Sequence, residues 1–236
     1  MQINHRVLVA TVMALTFIAL TIKATRSMVD SRSEIDQRQT VSVAPFTSIE
    51  LHDGVKAILR YGAEQRVTVL KGGPETSLIA VANGERLVIN KCKDKCPRAY
   101  HLEVEIVGPA FAGISIDDGG MIECRGNFPR QAEVKLAVRN GGTIDARSIV
   151  ADKITATVVE GGGIFAKPET IMVASIVSGG IITYWGDARV TSSTQHGGQV
   201  IKGAAADADK PISGFGPSLP DPPVVPKVPN QPVGNP

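Results

Sequence analysis

Two carboxylates are the first candidates for chemistry in this chain. Glu123 and Asp145 each follow the isoleucine of a recurring five-residue pattern, on successive copies. Glycoside hydrolysis uses a carboxylate pair about 5 to 9 Å apart, and neighbouring strands lie about 4.8 Å apart, so the pair falls at the lower edge of that range. The same pattern offers a polar row, since its opening residues are Asp118, Asn140, Glu160, Ser178 and His196; such a row suits a polar ligand or a cation. A third group is aromatic, Tyr184 and Trp185 beside Asp187, where an exposed indole can stack on a sugar ring. Each group also has a plainer explanation. Carboxylates on an outward strand face are solvated, short polar residues suit the entry to a glycine turn, and a lone tryptophan often covers an apolar turn. Asp118 and Glu160 stand two copies apart, about 9 to 10 Å, too far to share one ion. No G-x-S-x-G, H-E-x-x-H or P-loop occurs, and short spacers leave no long loops to wall a substrate cleft. The chain is therefore expected to be non-catalytic, with no metal and no cofactor.

The elements that position these residues are written in the repeat itself. DGGMI (118–122), NGGTI (140–144), EGGGI (160–164), SGGII (178–182) and HGGQV (196–200) share one form: polar, Gly, Gly, any residue, then Ile or Val. Seven positions before the first glycine stand Ala112, Val134, Ile154, Met172 and Val190. Five before it stand Ile114, Leu136, Ala156, Ala174 and Ser192, and three before it Ile116, Val138, Val158, Ile176 and Thr194. The intervening positions are mostly small or polar, a period-two alternation that marks a strand with one buried face. Ile122, Ile144, Ile164, Ile182 and Val200 then point inward again after the corner.

Each repeat thus reads as a strand, a tight glycine corner and a second short strand. A step of about 20 residues suits one coil of a parallel β-solenoid, so the expected fold is all-β, a single-stranded parallel β-solenoid. Gly119, Gly120, Gly141, Gly142, Gly161, Gly162, Gly179, Gly180, Gly197 and Gly198 form its stacked corners, where positive φ and close stacking exclude other residues. The region 41–107 alternates less regularly. His52, Asp53 and Gly54 read as a degenerate corner of an earlier coil, and Pro74 to Asn83 is the one weak helix candidate.

The opening F-x-x-I-x-L-x-x-G (Phe46, Ile49, Leu51, Gly54), the R-L-V-I of Arg86 to Ile89 and the recurring corner followed by isoleucine resemble the GIN domain, the head domain of putative auto-transporter adhesins. The resemblance spans about residues 43–203. The usual G-S-G corner is replaced here by a polar residue followed by glycine. The resemblance implies an extracytoplasmic β-solenoid of adhesin-like character and supplies no catalytic residues.

Composition bounds the remainder. The 236 residues are 43% hydrophobic with a formal charge of +2 and only 4% aromatic, which permits a sizeable core and argues against a nucleic-acid partner. Val7 to Ile22 is an uncharged apolar run preceded by Arg6 and followed by Lys23, so residues 1–24 read as a signal peptide or an N-terminal membrane anchor. Residues 25–40 read as a polar linker, 41–206 as the folded domain and 207–236 as a proline-rich, extended tail. Export favours a local disulfide between Cys92 and Cys96, with Asp94 and Pro97 helping the loop to turn. Two free thiols or a metal-bound pair are the alternatives, the last short of the four ligands that structural zinc takes. Cys124 matches inward Ala146 and Ala166 on later coils and is expected to be a buried thiol.

By alternation Tyr184 faces in and Trp185 out. The basic loop Lys91, Lys93, Lys95 and Arg98 suits an anionic surface or simple solvation. The leading functional expectation is a cell-envelope binding, adhesive or scaffolding module, located in the periplasm or at the cell surface. Its partner is an envelope polysaccharide or protein, and it touches the membrane through its N-terminal segment if that is uncleaved. A carbohydrate-active enzyme on the same fold and a sensory domain of an envelope stress system are the competing readings.

Overall fold

The computed structural model describes residues 38–73, 76–93 and 100–210. The apolar N-terminal segment, Cys96 and the proline-rich tail from Pro211 lie outside the described residues. Among those described the chain is all-β: fifteen strands join in one sheet, and the only helical element is a 3-10 turn at Ala205–Asp207. In chain order the strands are β1 (Gln39–Val41), β2 (Ser48–Leu51), β3 (Lys56–Tyr61), β4 (Arg66–Lys71), β5 (Leu78–Ala82), β6 (Arg86–Asn90), β7 (Glu103–Gly108) and β8 (Gly113–Asp117). There follow β9 (Met121–Arg125), β10 (Gln131–Arg139), β11 (Thr143–Glu160), β12 (Gly163–Ser178), β13 (Ile181–Tyr184), β14 (Arg189–Thr194) and β15 (Gln199–Lys202).

Columns aligned in the sequence are paired rungs in the structure. Ile114, Leu136, Ala156, Ala174 and Ser192 are successive parallel partners across β8, β10, β11, β12 and β14, and Ile116, Val138, Val158, Ile176 and Thr194 likewise. A second parallel ladder joins Ile122, Ile144, Ile164, Ile182 and Val200 across β9, β11, β12, β13 and β15. β11 and β12 run through both ladders, which merges them into one sheet. The inward side chains of both ladders share one core that extends back to Ile49, Leu51 and Leu59. Burial of each such Ile or Leu contributes about 1.5 to 3 kcal/mol, and alternation puts one in nearly every second position. The columns end in Ser192 and Thr194, which are exposed on the last rung.

The two glycines of a corner have different tasks. The first, Gly161 for example, has a left-handed φ of 67° with open space where a side chain would begin. The second is crowded, and at Gly120, Gly142, Gly162 and Gly180 left-handed as well: a Cβ at Gly162 would stand 2.6 Å from Gly142 O and 2.7 Å from Val138 Cγ1. Backbone hydrogen bonds tie corner to corner, with Gly163 N donating to Gly142 O at 2.9 Å and Ile181 N to Gly162 O at 3.0 Å. His52 to Gly54 is a corner of the same stack. Asp53 and Gly54 have φ of 58° and 75°, and Met121 N donates to Val55 O just beyond them.

The N-terminal third departs from purely parallel pairing. β1 pairs antiparallel with β4, β4 with β7, and β5 with β6. β1 also begins at Gln39, inside the stretch expected to be linker. The helix candidate at Pro74 to Asn83 is corrected to a strand: Leu78–Ala82 is β5, folded back on β6 through a turn at Asn83 and Gly84 with φ of 55° and 76°. Leu-Ile-Ala-Val-Ala is an apolar run without a period, and the Asn-Gly turn that follows decides its fate as a hairpin strand. Among the described residues no helix is long and apolar enough to cross a membrane.

Candidate functional site

The paired carboxylates sit where the repeat step placed them. Glu123 and Asp145 are Cα partners on β9 and β11. Alternate residues on a strand share a face, so each acid is followed on its own face by an arginine two positions on. Arg125 Nη2 donates to Glu123 Oε2 at 2.7 Å. Arg147 grips Asp145 with two bonds, Nε to Oδ1 at 2.8 Å and Nη2 to Oδ2 at 2.6 Å. Asp145 is buried rather than outward and solvated, because the ion pair and the chain above it close it off. Two carboxylates each occupied by a guanidinium are poorly arranged for proton transfer to a substrate.

Arg147 reaches this position through an irregularity in β11. Between Ala146 and Val150 the strand leaves register with β12, where Ala166 and Lys167 are adjacent. The surplus residues form a bulge, a device that re-aims side chains. From it Arg147 Nη1 donates to Asp207 O at 3.1 Å and Ala208 O at 2.9 Å, and Nη2 donates to Lys210 O at 2.8 Å. The hydrogen-bonded carboxylate of Asp145 raises the Arg147 pKa, against the opposing effect of burial.

Those carbonyls belong to a strap that corrects the expected exposure of Trp185. The chain leaving β15 folds over the indole: Gly203 N donates to Tyr184 O at 2.8 Å and Trp185 Nε1 donates to Ala204 O at 2.9 Å. Gly203 lies so close to the ring that a Cβ there would collide with it. Trp185 is therefore only 7% exposed, stacked near Phe165 at 6.3 Å and 28°, with Arg147 Cζ 5.3 Å from its ring centroid. A sugar ring has no open indole face here. Tyr184 packs half-buried against the core, as alternation required. Beside the strap remains a cleft of about 610 Å³, lined among others by Glu123, Arg125, Asp145, Arg147, Lys167 and Asp209.

The corner residues Asp118, Asn140, Glu160, Ser178 and His196 are all exposed along one edge. Side chains join the first step of this row, where Asn140 Nδ2 lies 2.8 Å from Asp118 Oδ1 and 3.2 Å from Asp117 Oδ1. On the rung below, His52, Asp117 and Asp118 each bring one potential metal-ligand atom within 4.8 Å of the others, a grouping that the sequence pattern did not single out. Cys92 is disulfide-bonded, and Cys96, its expected partner, lies outside the described residues. Cys124 is free and buried; burial, then Asp145 and Glu123, push its thiol pKa well up.

Sequence reasoning missed Arg125, Arg147 and Lys167. Their signal is present in Glu-Cys-Arg at 123–125 and Asp-Ala-Arg at 145–147, an acid and an arginine two apart on successive coils.

Among solved structures the chain is similar to a "putative adhesin" from Bacteroides fragilis, at 16% identity, 70% of this chain, 95% of that one and a TM-score of 0.42. It is also similar to a "putative lipid binding protein" from Parabacteroides distasonis at 14%, 71%, 96% and 0.29, and to a "putative adhesin" from Parabacteroides merdae at 14%, 71%, 95% and 0.31. No curated protein matches. Residues 45–181, more than half of the chain, match the family described as "Putative auto-transporter adhesin, head GIN domain". With the glycine corners and isoleucine rungs of that segment in place, the chain belongs to the GIN-domain family.

Proposed function

We propose that the protein is an exported parallel β-solenoid that serves as a non-catalytic binding and adhesion module of the cell envelope. In this reading residues 1–24 direct export or anchor the chain, 25–38 act as a stalk up to β1, and the proline-rich tail follows the domain. The family supports the adhesin-like character. The observation that carries the reading is a row of small and hydroxyl side chains across parallel strands, Ser115, Ala137, Thr157, Ser175 and Ser193, each the register partner of the next. A flat, regular polar face of this kind favours many weak contacts over one enclosed site. The arginine-occupied carboxylates at Glu123 and Asp145 weigh against the carbohydrate-active alternative.

The test is adsorption of the full chain to immobilised envelope polysaccharides, compared with a Thr157→Ala, Ser175→Ala, Ser193→Ala variant. The expected result is a stepwise weakening with each substitution, steeper on dense surfaces than on sparse ones. Adsorption that ignores all three substitutions would sink the reading. Fractionation with mass determination of the N-terminus tests the export part: a protein retained with the cytosolic fraction and beginning at Met1 contradicts it.

A further inference from the structure

We propose that His52, Asp117, Asp118 and Asn140 form a binding site for a divalent transition-metal ion of the zinc class. This goes beyond the adhesive reading and does not depend on it.

The site arises from the stacking of corners. Leu51 pairs with Ile116, so His52 leaves its strand beside Asp117 and Asp118, and β10 brings Asn140 above them. Single ligand atoms of His52, Asp117 and Asp118 lie within 4.8 Å of one another. An ion would draw them together, since ligand atoms at about 2.0 to 2.2 Å from a metal stand about 3 to 4 Å apart.

The imidazole is held by a carboxylate, a common outer partner of metal-bound histidines. Its Nε2 is 2.8 Å from Glu50 Oε1, and Glu50 Oε2 is held by Arg86 Nη1 at 2.9 Å. A ring N–H donated to a carboxylate fixes the tautomer and leaves the other nitrogen, Nδ1, with its lone pair for the ion. Glu50 lies on β2 and His52 one residue past its end, so two neighbouring side chains of the chain leaving the strand form this pair.

The two aspartates already gather positive charge. Asn140 Nδ2 bridges Asp118 Oδ1 and Asp117 Oδ1, and Arg139 Nη1 donates to Asp117 Oδ2 at 2.9 Å. The amide nitrogen occupies the place between carboxylates that a cation would take. For an ion to enter, the Asn140 side chain must swing out of that place, and its amide oxygen can then approach the ion as a fourth ligand. The Arg139 side chain is 63% exposed and can swing away to solvent as the ion enters. One imidazole among oxygen ligands favours zinc-class ions over calcium or magnesium, which prefer oxygen alone.

The experiment is calorimetric titration of the full, untagged chain with Zn²⁺ after dialysis against a chelator. Wild type should take up one equivalent saturably. His52→Gln and Asp118→Asn should each weaken that uptake by well over about tenfold, and Glu50→Gln by about tenfold through the oriented imidazole. Asn is already tolerated in the corner conformation, since Asn140 has φ of 54° against 62° for Asp118, so Asp118→Asn should fold, and circular dichroism of each variant verifies it. Absence of saturable uptake by wild type, or uptake of unchanged affinity in both His52→Gln and Asp118→Asn, would falsify the proposal. Equal displacement of Zn²⁺ by Ca²⁺ at matched concentration would overturn the assignment of metal class.

Discussion

Arg147 lies 5.3 Å from the ring centroid of Trp185 while its terminal nitrogens hold three carbonyls of the chain that covers that ring. One guanidinium therefore joins a carboxylate, an indole and the departing C-terminal segment. Removing it as Arg147→Ala leaves Asp145 buried without its partner, and breaking such a pair costs about 3 kcal/mol. Chemical denaturation should register that loss. The chain holds a single tryptophan, so its emission should also shift to the red as the strap loosens. Arg147→Lys should recover little, because a lysine ammonium cannot reproduce the two-bond grip on Asp145.

Gly161→Ala and Gly162→Ala should differ although they are neighbours. At Gly161 the penalty is the left-handed φ alone, about 1 to 2 kcal/mol, and Gly161→Asn should recover part of it. At Gly162 the added carbon also meets Gly142 O at 2.6 Å, so the corner must open or the coil must shift. Urea midpoints for the two variants should separate clearly. Equal losses would mean that the corners are not stacked as described.

Cys124 predicts an alkaline limit. Its thiol pKa is raised in the folded state from the ordinary 9.0, burial being the main cause. The folded protein keeps this proton while the unfolded chain releases it above pH 9, so the unfolded state binds fewer protons there and stability falls as pH rises. Below pH 9 the contribution is complete. Cys124→Ala, which imitates Ala146 and Ala166 on the later coils, should flatten the fall above pH 9. A thiol reagent at pH 8 should leave the folded protein unlabelled.

The core should weaken toward its last rung. Ile164 is fully buried in the middle of its ladder, whereas Val200 is only half-buried on the final one. Ile164→Ala should cost about 2 to 5 kcal/mol, and Val200→Ala clearly less. Thermal unfolding of the two variants checks the gradient.

What was legible in the sequence follows from what repeats. The columns through Leu136 and Ile144 could be aligned because every repeat must fill the same inward place, and those alignments are the observed registers. The antiparallel pairing of β5 escaped because Leu78–Ala82 has neither the corner nor the alternation to declare a face. The burial of Trp185 escaped for a different reason. Ala204 to Ala208 is a small-residue stretch without a period, and nothing in it announces that it will lie across an indole. Arg147 was passed over because it stands just past the aligned inward columns, at the start of the register break between Ala146 and Val150.

That register break has a further meaning. Successive corner glycines stand 22, 20, 18 and 18 residues apart, and the extra length of the longer coils falls in the stretch after β9 and in the bulge of β11, both beside the cleft. The corner edge is metered strictly, while the opposite side is elastic. A descendant of this protein can acquire or lose a few residues at 126–130 or 147–149 and reshape what the cleft admits, leaving every rung in step. The stacked repeats thus behave as a chassis with one variable flank, on which new recognition can be tried at little risk to folding.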